Sequence, residues 1–254
     1  MATGRTTIYN SRVYIDGYDM SGYSRTWGPL ACTFEEGTDD AITLPVKATL
    51  PGQANVSVGT INGLFDNTAT SGLHVIMKGA GVERDVMVPI GIRAAPVDND
   101  PVFIGQFPQL GYSAEADNNP VYASIPFGAS QSATGTGLAY ARPWGVLLLA
   151  KAAKTAANSA TGLDQLAQTT AGGYMMYQVF SGNGTATIKV QDASTNSDGD
   201  FSDLLSSGSI SCAAGVSGVV QLAKTATVER YVRWQIALGT ATSVTFALAF
   251  VRGN

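Results

Sequence analysis

The sequence predicts an all-β protein with at most one or two short helices. Short runs rich in Val, Ile, Thr, Tyr and Phe recur from end to end, and Gly, Pro, Asn and Asp separate them. No stretch sustains the i, i+3, i+4, i+7 apolar spacing of a long amphipathic helix. Near the C-terminus apolar and polar residues alternate, which is the pattern of a strand with one buried face.

The first half of the chain contains most of the predicted strands. Each is a short run of β-branched and aromatic residues bounded by turn-forming residues. In order they are Ile8–Ile15, Leu30–Glu35, Asn55–Ile61, Asp85–Ile92, Val102–Tyr112, Val121–Phe127 and Trp144–Leu149.

The second half contains two pairs of strands and one softer segment. Tyr174–Phe180 and Thr185–Val190 flank Ser-Gly-Asn-Gly at 181–184, which predicts a hairpin because Asn183 and Gly184 tolerate turn conformations. The alternating segments 232–238 and 244–250 are joined by a predicted turn at 239–243. The Ala- and Thr-rich segment 151–173 predicts either a short helix over Lys151–Asn158 or a long loop.

Domain organisation is predicted from length and composition. The 254 residues suffice for one large β domain or two small ones. Gly128–Gly137 is small and polar, as linkers are, and separates two strand-rich halves. We therefore expect a β domain over 1–128 and a second β-sandwich domain over 129–254.

The charge content indicates a surface that partners cover. Only 13% of the residues are charged and the net charge is −4. Interfaces are depleted in Lys, Glu and Asp, although low charge is also found in some secreted proteins. The basic residues are scattered singly, which argues against tight binding of nucleic acid.

Neither membrane insertion nor a disulfide framework is expected. No N-terminal segment combines a basic region, an apolar core and a cleavage site, and no apolar run is long enough to span a bilayer. The chain is therefore expected to be soluble and unprocessed. Cys32 and Cys212, the only cysteines, are far apart in sequence, which favours a reducing compartment.

The usual catalytic constellations are missing from the sequence, so we expect no enzyme and no cofactor. His74 is the single histidine, and no Gly-x-Ser-x-Gly elbow accompanies it. Adjacent carboxylates occur at Glu35 and Glu36 and at Asp39 and Asp40, but sequence alone does not place them across a cleft as a glycosidase requires. Solvated loops are the alternative interpretation.

One segment is a candidate calcium site. The run DASTNSDGD at 192–200 offers oxygen side chains at alternate positions, among them Asp192, Asn196, Asp198 and Asp200. No Glu follows at the spacing of an EF-hand. The alternative is a polar turn with Gly199 at the bend.

The acidic segment Glu36–Gln53 lies between two predicted strands and contains two prolines. Such a segment inside a compact β domain is either a mobile loop or an arm that orders against a neighbouring molecule.

Three segments resemble a known family. VYIDGYDMSGYS at 13–24 resembles the start of major tail proteins, the tail-tube subunits of long-tailed bacteriophages. YMMYQVFSGNGTATIKVQDASTNSDGDFSDL at 174–204 and RYVRWQIALGTATSVTFALAFVRG at 230–253 are similar to the C-terminal half of such proteins. The resemblance lies in patterns of strands and turns.

The resemblance implies a structural role without catalytic residues. A tail-tube-like β-sandwich or barrel, followed by a second β-sandwich module, would form rings, expected to be hexamers, stacked into a tube through which DNA passes without specific binding. The partners would be copies of the chain and other virion tail proteins, and the location would be the virion tail after synthesis in the host bacterial cytoplasm.

The resemblance also implies which residues join the rings. The segment Glu36–Gln53 would reach the adjacent ring, and its candidate contact residues are Glu36, Asp39, Asp40, Leu44, Pro45, Lys47 and Pro51. A DNA conduit should repel phosphate, which makes Glu35, Glu36, Asp39 and Asp40 the candidates for lining the channel.

Two other functions remain open at this point. A capsid decoration protein on the head surface would belong to the same setting but would not form tubes. A carbohydrate-binding β-sandwich in the C-terminal half is suggested by the tryptophans and the possible calcium loop. However, Trp144 and Trp234 occupy predicted strand positions and are expected in the core, whereas Trp27 is expected near the surface.

Overall fold

The computed structural model describes residues 6–39, 48–92, 94–116, 120–129, 140 and 142–253. It confirms the all-β prediction, since all pairings between the named strands are antiparallel. Within these ranges the one α-helix is α1 (Leu73–Met77), and 3-10 turns cover Ile8–Asn10 and Asp198–Asp200. None of the described helices is long and apolar enough to cross a membrane.

In chain order the strands are β1 (Tyr14–Ile15), β2 (Tyr18–Asp19), β3 (Ser24–Thr26), β4 (Ala31–Asp39), β5 (Ala48–Ser57), β6 (Thr60–Leu64), β7 (Glu83–Pro89), β8 (Pro101–Pro108), β9 (Ser113–Ala116), β10 (Val121–Pro126), β11 (Trp144–Lys154), β12 (Asn158–Ser159), β13 (Leu163–Asp164), β14 (Gly173–Gly182), β15 (Thr185–Ala193), β16 (Ser202–Ser206), β17 (Ile210–Ser211), β18 (Val216–Gln221), β19 (Tyr231–Leu238) and β20 (Val244–Arg252).

A central eight-stranded sheet joins the two halves of the chain, in the order β18-β14-β20-β11-β8-β7-β1-β2. The pairing of β8 with β11, with Phe103 opposite Trp144, crosses the predicted domain boundary. Residues 130–137 of the predicted linker lie outside the described residues. The division at residue 128 remains a prediction, and the strands on its two sides share one hydrogen-bonded sheet.

The central sheet curls until its two ends meet. The Gly17 N–H donates to Gln178 Oε1, and Gln178 Nε2 donates to the Asp85 carbonyl at 3.0 Å. We call this closure the seam; it has the β1–β2 turn and β7 on one side and β14 and β18 on the other. The inward face of the curl is an apolar core that includes Tyr174 and Met176. The sheet therefore forms a half-barrel whose open side is closed by polar contacts.

Two further layers cover the outer faces of the curled sheet. The sheet β3-β6-β10-β9 and α1 pack on the N-terminal strands, where Phe103 and Phe107 are fully buried. The sheet β12-β19-β15-β16 packs on the C-terminal strands, where Phe246 and Phe250 are fully buried. Both cores follow the period-two alternation of the strands.

The predicted pairing within the second half is wrong, although the strands themselves are present. β14 belongs to the central sheet and β15 to the outer sheet, and β19 and β20 are divided in the same way. The connections are therefore arches between layers. Asn183 ties the two arches together, because its Oδ1 accepts from the Thr242 and Ser243 N–H groups. An alternating strand buries one face equally well in a hairpin or across a sandwich.

The helix considered for Lys151–Asn158 is also wrong. β11 continues through Lys154, and Ala152 pairs with Phe246 while Lys154 pairs with Val244. Ala152 packs against the core beneath the outer sheet. Tertiary pairing thus overrides the helix propensity of alanine, which is a weak preference.

Candidate functional site

The candidate site for assembly is a two-stranded arm. β4 and β5 pair from Ala31 opposite Ser57 to Asp39 opposite Ala48, with a bulge between Phe34 and Glu36. In the described chain this pair hydrogen-bonds to no other named strand. Its base is anchored where Val56 and Cys32 contact the core beneath the β3-β6-β10-β9 sheet. We use the term arm for residues 33–39 and 48–55.

The arm exposes residues on both of its faces. Thr33, Phe34, Glu35 and Glu36 are consecutive and all exposed, and Phe34 is 54% exposed. Successive strand residues point to opposite faces, so neither face of this stretch is packed on the body. An isolated two-stranded hairpin is marginally stable in water at best. The geometry is therefore suited to contact with another molecule.

The sequence left a loop or an arm open for Glu36–Gln53, and its described parts, 36–39 and 48–53, belong to the paired strands of the arm. Glu36 and Pro51 are paired in the ladder, and Pro51 directly precedes the two residues of β5 that form the bulge opposite Glu35, which is a position where strands accommodate proline. Asp39 ends β4. Asp40, Leu44, Pro45 and Lys47 lie outside the described residues. The channel-lining role of Glu35, Glu36, Asp39 and Asp40 stays a prediction, because a single chain does not define a channel.

Two more exposed features belong to the N-terminal layer. Among the described strands β9 is an edge of its sheet, and all four of its residues are exposed. An edge strand presents unpaired backbone groups to a further strand. Leu110 is 65% exposed, and its N–H donates to the Pro126 carbonyl.

The calcium candidates do not converge. Asp192 accepts from the Glu229 N–H, Asn196 pairs with the Gly162 backbone, Asp198 pairs with Arg233, and Asp200 accepts from Thr195 Oγ1. Among the described residues no three His, Cys, Asp or Glu side chains are placed to hold a metal ion. The segment forms a polar turn whose oxygens are engaged by protein donors.

The other residues singled out in the sequence have structural surroundings. His74 lies in α1, with Nδ1 3.1 Å from Tyr112 Oη and its ring against Phe65. Trp234 is buried as expected. Trp144 is 45% exposed, contrary to expectation, and its ring stands at 77° to that of Phe103. Cys32 and Cys212 are not joined in a disulfide.

Sequence reasoning missed the polar cluster at the seam. Asp85 is buried, and its carboxylate accepts from Ser217 Oγ at 2.6 Å and Gln106 Nε2 at 2.9 Å. Burial raises the pKa of Asp85, the two hydrogen bonds oppose the rise, and the nearby Asp16 adds to it. Asp16 itself pairs with Arg84 at 2.8 Å. The Asp-Gly turn at 16–17 was a visible signal, whereas the approach of Ser217 depends on the fold.

Comparisons with known proteins leave the family open. No family model and no curated protein matches the chain. Among solved structures it is similar to the Dit protein of phage SPP1, described as a hub of the adsorption apparatus in phages infecting Gram-positive hosts (11% identity, 95% of this chain and 99% of that one, TM-score 0.33). It is also similar to a chain of infectious bursal disease virus strain Gx (9% identity, 96% and 68% covered, TM-score 0.24). Both scores are too low to establish a shared fold.

Proposed function

We propose that this chain is a virion structural protein, the subunit of a phage tail tube, and that its arm joins it to a neighbouring copy. The observation that carries the proposal is the two-stranded arm with both faces exposed around Phe34. The sequence resemblance to major tail proteins at 13–24, 174–204 and 230–253 supports it. The low charge content suits a surface that is largely covered in an assembly.

A ring provides each arm with a partner. In a head-to-tail interface every subunit donates one arm and receives one, and the ring closes when the rotation between subunits allows it. Covering the exposed part of Phe34 contributes about 1 kcal/mol per subunit by its apolar area. The neighbour's surface would also pair backbone groups along β4 or β5, which a lone hairpin leaves to water. We propose hexameric rings that stack into a tube, with other virion tail proteins as further partners. In this proposal the arm joins neighbours within one ring, whereas the sequence resemblance implies a contact between adjacent rings.

The proposed tube acts as a conduit and not as an enzyme. Glu35 and Glu36 are exposed on the arm, and the chain carries a net charge of −4. Acidic walls would reduce retention of DNA, since affinity for the phosphate backbone grows with the number of neutralised phosphates. DNA would therefore pass without specific binding, and the protein would reside in the virion tail.

Replacing Phe34 by serine tests this proposal. We expect Phe34→Ser to shift the protein from rings toward monomer in sedimentation velocity over a concentration series, because the arm loses its exposed apolar contact. The stability of the monomer should change by no more than about 0.5 kcal/mol, as at other surface positions.

Leu166→Ser is the matched control. Leu166 is 83% exposed in the loop after β13, on the layer that covers the opposite half of the sheet. This variant removes an exposed apolar side chain without touching the arm and should assemble as the wild type does. Equal assembly of the Phe34→Ser variant and the wild type would refute a role for the arm.

A further inference from the structure

A surface cleft lies where the two halves of the chain meet beside the seam. Its volume is about 430 Å³. Tyr18, Asp19, Tyr23 and Thr70 line one side, and Lys151 and Phe180 line the other. Pockets of roughly 300 to 1,000 Å³ with aromatic walls and a few placed polar groups are typical of small-molecule sites.

The polar groups of the cleft are held in fixed positions. Lys151 Nζ lies 2.8 Å from Asp19 Oδ2, and Asp19 Oδ1 accepts from the Ser21 N–H at 3.1 Å. The same ammonium lies 4.7 Å from the centre of the Phe180 ring, which packs edge-on against Tyr14 at 4.8 Å. A partly exposed ion pair contributes at most about 1 kcal/mol to stability. Its main effect here is to fix a charged pair on an aromatic wall.

Thr70 adds a strained backbone to the same cleft. Its φ is 69°, in the left-handed region, which a β-branched residue rarely adopts. Such strain costs on the order of 1 to 3 kcal/mol and clusters at binding sites. Thr70 is exposed, so its side chain is available to a ligand.

We propose that this cleft binds a neutral saccharide. A pyranose has an apolar C–H face that packs on aromatic rings and hydroxyl groups that both donate and accept hydrogen bonds. The aromatic rings of Tyr18 and Tyr23 match the apolar face, and the Asp19 carboxylate and Lys151 ammonium match the hydroxyl groups. Because the two charges neutralise each other, a charged ligand of either sign gains little. The site would give a structural subunit the ability to bind glycans.

Saturation-transfer NMR on the full chain tests the proposal, with the methyl glycosides of glucose, galactose, N-acetylglucosamine and N-acetylgalactosamine as probes. We expect at least one probe to bind with a Kd near 1 mM, which corresponds to about −4 kcal/mol. Lys151→Ala should weaken binding about tenfold. Lys189→Ala is the matched control, because Lys189 forms a similar pair with Asp203 in the outer sheet, and it should bind as the wild type does.

Thr70→Gly separates binding from folding. Glycine adopts a positive φ freely, so the midpoint of unfolding should be as high as in the wild type or higher, while the affinity for the glycoside falls. Absence of binding by all four glycosides would overturn the proposal. So would binding that survives both Lys151→Ala and Thr70→Gly, or a glucuronide that binds more tightly than the neutral glycosides.

Discussion

At the scale of single residues, Asp85 is the least ordinary group in the molecule. Its carboxylate is buried at the seam and is held by the neutral donors Ser217 and Gln106. The acidic groups that interact with it are Asp16, Glu83 and Tyr177, and the nearby Arg84 is paired with Asp16. A buried carboxylate without a cationic partner favours its neutral form. The seam therefore makes stability depend on pH.

We expect Asp85→Asn to flatten that dependence. The pKa of Asp85 is higher in the folded protein than in the unfolded chain, where it is 3.8. The contribution of this group to the free energy of unfolding is therefore fully present below pH 3.8, and it is lost as the pH rises through the raised pKa. Asparagine accepts from Gln106 Nε2 through its Oδ1 and donates to Ser217 Oγ through its amide, so both contacts persist without the charge. Urea unfolding between pH 3.5 and 7 should show the variant more stable at pH 7 by on the order of 1 kcal/mol.

We expect Asp203→Asn to change stability at neutral pH in the opposite direction. Hydrogen bonds from Lys189 and Gln191 lower the pKa of Asp203, so its contribution is present at neutral pH and is lost as the pH falls. This variant should be less stable than the wild type at pH 7 and equal to it in acid. If Asp85→Asn also lost stability at pH 7, the account of the seam would be wrong.

At the scale of elements, the seam depends on a glycine. Gly17 has φ 76°, and a Cβ built there would lie 2.6 Å from the Val179 carbonyl oxygen and 2.7 Å from that of Val216. Gly81 has φ 82° and nothing within 4 Å of the same position. We expect Gly81→Ala to cost about 1 to 2 kcal/mol from backbone strain alone. Gly17→Ala should cost roughly 1 to 3 kcal/mol more, because it forces the seam apart.

Thermal or urea unfolding of the two glycine variants checks this difference. Both residues have similar dihedral angles, so the comparison isolates close packing from strain. Equal losses of stability would show that the β1–β2 turn does not close the curled sheet in solution.

Strands were predictable from the sequence, but their partners were not. The alternation in 232–238 and 244–250 reports that one face is buried, and β19 and β20 confirm it. It does not report which sheet covers that face, so arches were mistaken for hairpins. The helix alternative for Lys151–Asn158 failed for a related reason. Helix propensity carries no information about β20, the strand that pairs with this part of β11.

The arm was only partly predictable. Its acidic residues and prolines indicated a segment outside the core. The exposure of residues 33–36 is consistent with that prediction. Its strand pairing was missed, since a proline argues against a strand interior, whereas Pro51 lies next to a bulge in its own strand. The cleft was not predictable at all, because Asp19 and Lys151 meet only when the central sheet joins the two halves.

At the scale of the whole molecule, one curled sheet supports two outer layers, and the arm leaves the body on one side. In the proposed assembly the exposed arm would contact the next copy of the chain. Repetition of one head-to-tail interface would then close as a ring or continue as a fibre.

Negative-stain electron microscopy of the purified chain over a concentration series tests this account most directly. We expect rings, and at higher concentration hollow tubes of uniform width, both of which the Phe34→Ser variant loses. A particle that remains a monomer or a compact trimer at every concentration would contradict the tail-tube proposal and favour a head decoration protein instead.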